Sequence, residues 1–249
     1  MRKPVRKIDQ GAPGDPAVHV VVPAAGRGER FGGPIPKLFV ELAGRPVLAW
    51  TLDRLLAGGA RSVTVALDAE RAADPPEWLA ADSRVRWVAG GETRQASVAL
   101  ALAACPATAE ELVAVHDGAR PVLAAEDLAR VCAAARGADG AVLGRAVADT
   151  VKQVVEGRIV GTVDRRGLFR AETPQVFTRA TLEEALRRAA VDGAVGTDES
   201  SLVERLAGAR VVAVEARFAN PKVTVVADLR VVEQLLRASA AQQDREGNR

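Results

Sequence analysis

Short runs of β-branched residues alternate along most of this chain with alanine- and leucine-rich segments of helical period. "VHVVVP", "PVLAWTLDRLLAGG", "SVTVALD", "VRWVAGG", "RQASVALALAAC", "LVAVHDG", "AEDLARVCAAARG" and "GAVLGRAV" follow one another with little between them. Strands that are apolar on both faces need helices over both faces. The order therefore predicts an α/β fold, a mostly parallel twisted sheet with helices on both sides. In such sheets the loops at the carboxyl ends of the strands form the binding crevice. Those loops are the unusual stretches here: "AAGRGERFGGPIPK" after the first strand, "GGETRQ" after the third and "HDGARP" after the fourth.

After Val147 the pattern changes. "ADTVKQVVEGRIVGTVDRRGLFRAETPQVF" holds short alternating strands with Gly157 and Gly167 at turn positions, which predicts a β-hairpin arm over about residues 148–172. Helices near Arg179 to Val191 and Asp198 to Leu206, a strand "RVVAVEA" and a final helix from about Ala227 complete the order. The polar ends, 1–17 and 240–249, read as disordered, leaving 18–239 as one domain.

The charge balance narrows the function. With 34 basic against 32 acidic residues, scattered and not in tracts, the chain lacks the electrostatic footprint of a nucleic-acid binder. No apolar run of about 18 residues exists, and no apolar segment follows the basic start, so no membrane partner is expected and a cytoplasmic location is. Cys105 and Cys132 lie in alanine-rich helical contexts and read as buried small hydrophobes in a reducing compartment.

The loop opened by Val21 to Lys37 fails two familiar fingerprints. Phe31 stands where a dinucleotide-binding loop needs its third glycine, and helix-compatible sequence resumes only near Pro46; Lys37 follows a proline and precedes Leu38, so it is no Walker loop. A long loop stiffened by Pro23, Pro34 and Pro36 is nevertheless a functional feature. Its glycines let backbone N–H groups approach an anion, and Arg30 and Lys37 supply full charges. Only five lysines occur beside 29 arginines. A lysine retained in so biased a chain marks a place for a compact point charge on a flexible stem. Lys37, Lys152 and Lys222 are the three inside the ordered region.

Taken in order, "PAAGRGERFGGPIPK", "GGETRQASV", "VHDGARP", "DTVKQV", "VDRRGLF", "ETPQVF", "GTDESSLVE" and "NPKVTV" resemble the 2-C-methyl-D-erythritol 4-phosphate cytidylyltransferases of the non-mevalonate isoprenoid pathway, from about Val18 to Leu236. The resemblance implies CTP and 2-C-methyl-D-erythritol 4-phosphate as substrates, a divalent metal, normally Mg2+, and a homodimer formed through the arm. It implies that Ala24, Ala25, Gly26 and Gly28 wrap the nucleotide, that Arg30 and Lys37 grip the triphosphate as catalytic residues, and that Gly90, Gly91, Glu92, Arg94 and Ser97 receive cytosine and ribose. Asp117 would contact metal or substrate, or instead cap the next turn. Arg120, Thr150, Lys152, Arg165, Thr173, Thr197 and Lys222 match acceptor-side positions, with Thr150 and Arg165 reaching the partner's pocket. Thr197 is equally a plain helix cap, and Lys152 equally a solvated edge charge. His116 reads as structural, since an attacking phosphate is already ionised and needs no general base.

The chain departs from that pattern at Leu38, where glutamine is frequent, and at Gly118, where alanine is common. Glu29 adds a negative charge beside Arg30. The competing readings are a cytidylyltransferase for a pentitol phosphate such as ribitol 5-phosphate, and a non-catalytic nucleotide-binding regulatory protein.

Overall fold

The structure, a computed structural model, describes residues 17–26, 28, 31–32 and 35–247, with side chains to residue 239. β1 (Val18–Pro23) opens the fold and is buried over its first five residues. After the glycine-rich loop a small hairpin, β2 (Glu41–Leu42) and β3 (Arg45–Pro46), turns through Ala43 and Gly44 at φ of 47° and 78°. That mirror-image turn matches the right-handed strand twist. α1 (Val47–Ala57) follows at once, with Pro46 as its N-cap. Next come β4 (Ala60–Leu67), α2 (Ala69–Ala73), a 3-10 turn at Glu77–Ala80, β5 (Val85–Ala89) and α3 (Arg94–Ala104). β6 (Leu112–Val115), α4 (Ala125–Ala135) and β7 (Gly140–Ala146) lead to the pair β8 (Val151–Val155) and β9 (Arg158–Val163). β10 (Phe169–Thr178), α5 (Arg179–Asp192), α6 (Glu199–Val203), β11 (Val211–Glu215) and α7 (Val226–Gly247) finish the chain.

The central sheet has the order β11-β7-β10-β6-β1-β4-β5. β1 pairs in parallel with β4 on one edge and β6 on the other, and β10 alone runs antiparallel, between β6 and β7. Two cores cover the two faces. One gathers Leu48 and Leu52 of α1, Leu128 of α4 and Val232 of α7; the other gathers Val98 and Leu102 of α3, Leu182 of α5 and Leu202 of α6. Connections leave β1 toward β4 but return to β6 on its opposite side, so the loops after β1 and β6 part from one another and open a crevice there.

Two boundaries differ from the sequence-based expectation. The arm is β8 and β9, which pair only with each other, whereas Phe169 to Glu172 already belong to β10 in the central sheet. Alternation marks a strand but not its partner, and β10 finds its partners in β7 and β6, with a register shift between Ala171 and Gln175. The tail expected to be disordered instead continues α7 to Gly247, in keeping with the helix-favouring residues that prolong it. The extension 1–16 lies outside the described residues. Among the described residues no helix is long and apolar enough to cross a membrane. Cys105 and Cys132 are free and buried, and burial pushes the Cys132 thiol up to about 12.

Candidate active site at the carboxyl ends of the strands

Backbone hydrogen bonds stitch the loops to the sheet. Ala24 N donates to Ala66 O at 2.7 Å, and Gly90 N donates to Leu67 O at 2.6 Å, so the loops after β1 and β5 are both tied to the end of β4. They also touch. A Cβ on Gly90 would lie 2.5 Å from Ala25 Cβ, a distance only glycine avoids. Gly28 has φ +67°, and a Cβ there would come within 3.1 Å of Lys37 Cγ, so the lysine stem lies along the glycine backbone. Thr93 caps α3 by accepting from Ala96 N, and the Ser97 hydroxyl, 2.9 Å from Thr93 O, accepts from Gly91 N at 3.2 Å.

These loops enclose a cavity of about 210 Å³ lined by Ala24, Ala25, Gly26, Gly28, Lys37, Gly91, Glu92, Arg94, Ser97, Asp117 and Lys222. An adjoining cavity of about 670 Å³ shares Gly28, Lys37 and Glu92 with it and adds Gly90, Asp68 and Thr224. Every nucleotide-side residue expected from the sequence thus borders one of two overlapping cavities. Arg30 lies outside the described residues, as does Glu29.

One wall is a chain of alternating charges. Arg94 grips Glu199 with two hydrogen bonds, Nη1 to Oε1 at 2.6 Å and Nη2 to Oε2 at 3.0 Å, and Nη2 also reaches Asp117 Oδ1 at 3.3 Å. Lys222 Nζ donates to Asp117 Oδ2 at 2.7 Å. Burial opposes charge on Asp117, but Arg94 and Lys222 prevail and hold its carboxyl well below the usual range. Burial likewise pushes the Glu199 carboxyl up while Arg94 pulls against it. Lys37 donates to Val223 O at 3.1 Å, beside Lys222. The segment carrying Lys222 is anchored from below, because the buried Asp127 carboxylate accepts from the backbone N–H groups of Arg217 and Phe218.

The turn after β6 is held equally firmly. Asp117 N donates to Thr173 Oγ1 at 3.0 Å, and Thr51 Oγ1 donates to Gly118 O at 2.8 Å. His116, fully buried, faces Arg120 O through Nε2 at 3.2 Å and Thr173 Oγ1 through Nδ1 at 3.2 Å. Only an N–H can face a carbonyl, so Nε2 carries the proton and the threonine hydroxyl donates to Nδ1. The ring is neutral and spoken for, which suits the structural reading. Burial lowers its pKa from 6.5 to about 4. The unfolded chain therefore binds a proton over that window that the folded one does not, and stability falls as pH drops from about 6.5 to about 4. NMR titration of the imidazole is expected to show His116 neutral at pH 5.5; titration near 6.5 would contradict the buried geometry.

The two departures from the family pattern meet in space. A Cβ on Gly118 would sit 3.2 Å from Leu38 Cδ1 and 3.1 Å from Leu48 Cδ1, so the apolar Leu38 fills the room that the missing methyl leaves. Gly118→Ala is expected to cost about 1 kcal/mol, since two leucine tips and a Val22 methyl must shift by a few tenths of an ångström; a melting experiment showing several times that loss would mean the packing is rigid.

The acceptor-side residues divide into three groups. Asp117 and Lys222 line the cavity, and Arg120 lies behind them, with Nη1 donating to Asn220 O at 2.6 Å and Nε 3.8 Å from Asp117. Thr173 is buried with its hydroxyl committed to Asp117 N and His116, so it holds the turn and does not face the cavity. Thr150, Lys152 and Arg165 are exposed on the arm or at its base: Lys152 Nζ donates to Thr162 Oγ1 across the hairpin and Arg165 donates to Ala148 O. None of the three is among the lining residues of their own chain's cavities. The capping expectation at Thr197 is corrected: Asp198 is the N-cap of α6, forming a capping box with Ser201, and Thr197 is the exposed residue before it. Sequence reasoning passed over Glu199, which looks like any first-turn acid, and Asn220 and Gln175, whose side chains tie Thr173 O, Ser200 N and Asp198 together.

Comparison with known proteins decides the family. The IspD family model, 2-C-methyl-D-erythritol 4-phosphate cytidylyltransferase, matches residues 18–238. The chain belongs to this family. It is 46% identical over 219 residues to the 2-C-methyl-D-erythritol 4-phosphate cytidylyltransferase of Stenotrophomonas maltophilia (strain R551-3), covering 86% of this chain and 94% of that protein. Among solved structures it resembles the cytidylyltransferase from Thermus thermophilus, with TM-score 0.73, 36% identity and coverage of 88% and 98%. The Francisella tularensis enzyme gives TM-score 0.76, 28% identity and coverage of 88% and 99%. The chain is thus a nucleotidyltransferase, and the cytidylyltransferase fold is the mixed, mostly parallel sheet described above.

Proposed function

We propose that the protein transfers a cytidylyl group from CTP to 2-C-methyl-D-erythritol 4-phosphate, releasing pyrophosphate and 4-diphosphocytidyl-2-C-methyl-D-erythritol, as a cytoplasmic homodimer. The observation that carries this reading is the meeting of two glycine-containing loops with Lys37, Arg94 and Lys222 around one cavity. An oxygen of the acceptor's phosphate monoester attacks the α-phosphorus of CTP, a new P–O bond forms, and the bond from the α-phosphorus to the bridging oxygen breaks. Negative charge grows on the five-coordinate phosphorus and on the departing pyrophosphate. Fixed cations meet that charge without reorganising, so the chemistry is one of positioning and electrostatics.

In this reading the backbone at Ala24, Ala25, Gly26 and Gly28 cradles the triphosphate while Lys37, with Arg30, neutralises it. Gly90, Gly91, Glu92, Arg94 and Ser97 take base and ribose. Lys222 and Arg120 draw in the acceptor phosphate, and Thr197 joins them from the turn before α6. Among the described residues no group of three or more His, Cys, Asp or Glu could hold a metal unaided. Asp117, one of two carboxylates lining the cavity with Glu92, nevertheless suits Mg2+, which takes one or two carboxylates and completes its shell with phosphates and water. Bound there, Mg2+ would supply Lewis-acid charge neutralisation on the triphosphate.

The arm supports the dimer. A two-stranded sheet alone in water is marginal, yet β8 and β9 expose Val154, Val155, Ile159 and Val160 at 55%, 51%, 67% and 57%. A second subunit covering them would also bring Thr150, Lys152 and Arg165 to the partner's acceptor pocket. Ile159→Asp combined with Val160→Asp is expected to give a monomer by light scattering, with acceptor turnover reduced at least tenfold; an intact, active dimer would move the interface elsewhere.

The direct test is pyrophosphate release with CTP and Mg2+, comparing 2-C-methyl-D-erythritol 4-phosphate with ribitol 5-phosphate, and CTP with ATP, GTP and UTP. Release that needs both proposed substrates supports the reading. Preference for the pentitol phosphate would change the acceptor, and no release with any pair would favour a nucleotide-binding regulator.

A further inference from the structure

Behind Asp117 the structure holds a second ionic cluster that differs in kind from the one around Arg94. Glu172, in the part of β10 that runs past the end of β6, is 5% exposed and faces three guanidinium groups. Arg120 Nη1 lies 3.8 Å from Oε2, Arg145 Nε 3.7 Å from Oε1 and Arg170 Nη2 3.5 Å from Oε1. All three are within ion-pair range, and only Arg170 makes a hydrogen bond, a long one of 3.5 Å from Nη2 to Oε1. Glu172 Oε2, Arg120 Nε and Asn220 Oδ1 are buried polar atoms with no hydrogen-bond partner. Buried charges in folded proteins are ordinarily satisfied by short hydrogen bonds, as Glu199 is by Arg94 at 2.6 and 3.0 Å in this same molecule. A carboxylate kept for stability alone would be expected to close on its arginine in the same way.

We infer that Glu172 is a positioning residue for acceptor recognition, aiming the Arg120 guanidinium by charge while leaving its hydrogen-bonding edge unspent for a phosphate monoester. The geometry has two parts. Arg120 is suspended between two carboxylates at equal distance, Asp117 Oδ2 and Glu172 Oε2, each 3.8 Å away, and its one short bond goes to the Asn220 carbonyl. A guanidinium has five N–H donors, and the bond to Asn220 O takes only one of them. The charges also balance. Arg120, Arg145 and Arg170 with Glu172 sum to two positive charges, matched to a phosphate monoester dianion, and Arg145 and Arg170 stand opposite one another where β7 and β10 pair at the base of the arm. The inference rests on the reading that Arg120 takes the acceptor phosphate.

Steady-state kinetics of the full-length protein, with CTP and 2-C-methyl-D-erythritol 4-phosphate varied separately, tests it through its sign. If Glu172 merely opposed anions, Glu172→Gln would improve acceptor binding by removing a repelling charge. If it positions Arg120, Glu172→Gln is expected to raise the acceptor KM roughly tenfold, the scale of coupling between charged neighbours, with the CTP KM nearly unchanged. Glu172→Asp, which keeps the charge, is expected to stay within about threefold of wild type. A fallen or unchanged acceptor KM in Glu172→Gln overturns the inference. Arg120→Ala is the parallel control: no rise in acceptor KM there would instead remove Arg120 from the acceptor site. Should Glu172→Gln fail to fold, Glu172→Gln with Arg170→Gln restores the native net charge and still lacks the carboxylate; its acceptor KM should remain high, and a return to the wild-type value would assign the effect to net charge and overturn positioning.

Discussion

Lys37→Ala is expected to lower kcat by about 10²–10³-fold with the fold intact, the loss seen when one preorganised charge or donor is taken from a developing anion. The side chain is well prepared for that work. Its stem lies on Gly28, its ammonium is held near Lys222 by Val223 O, and it lines both overlapping cavities. CTP binding should weaken less than kcat falls, because the charge it answers is largest in the transition state. Single-turnover pyrophosphate release with a parallel thermal melt separates the outcomes. Unchanged kcat would remove Lys37 from catalysis, and a collapsed melt would make the loss one of folding.

The second large effect is expected at Asp117, where Asp117→Asn should abolish most activity and destabilise the fold by about 3 kcal/mol, a fall in melting temperature of roughly 6–12 °C. The carboxylate is 11% exposed and stands between Arg94 and Lys222, with Arg120 close by. Asparagine keeps the shape but leaves those cations facing one another, with Arg94 retaining Glu199 and Arg120 retaining Glu172, while Lys222 loses its carboxylate partner. The wild-type pH profile follows from the direction of the Asp117 shift. A carboxyl whose folded pKa is depressed contributes fully above its unfolded value of 3.8 and loses that contribution as pH falls below it. This arm of the profile lies below the His116 window, so the two should separate in a denaturation series. Normal melting and turnover in Asp117→Asn would mean that the charge chain neither holds the site nor takes part in it.

The division between sequence and structure can be followed residue by residue. The alternation of apolar runs and helical segments was enough to predict the parallel sheet, because burial on both faces leaves its mark on each strand locally. The loop glycines and Lys37 were legible too, since Gly28 and Gly90 occupy conformations or contacts that other residues cannot. Glu199, Glu172, Asn220 and Thr51 were not legible. Each acts on a residue distant in the chain, Arg94, Arg120, Thr173 or Gly118, and in sequence each looks like an ordinary polar residue. The same limit applies to β10. Its alternation announced a strand, but only assembly of the sheet placed it antiparallel between β6 and β7, carrying Glu172 and Thr173 beneath the site. What the sequence determined by itself was therefore the set of elements and the loops bearing unusual backbone. Tertiary structure alone decided which charges meet, because side-chain pairing depends on distances between elements that local patterns do not encode.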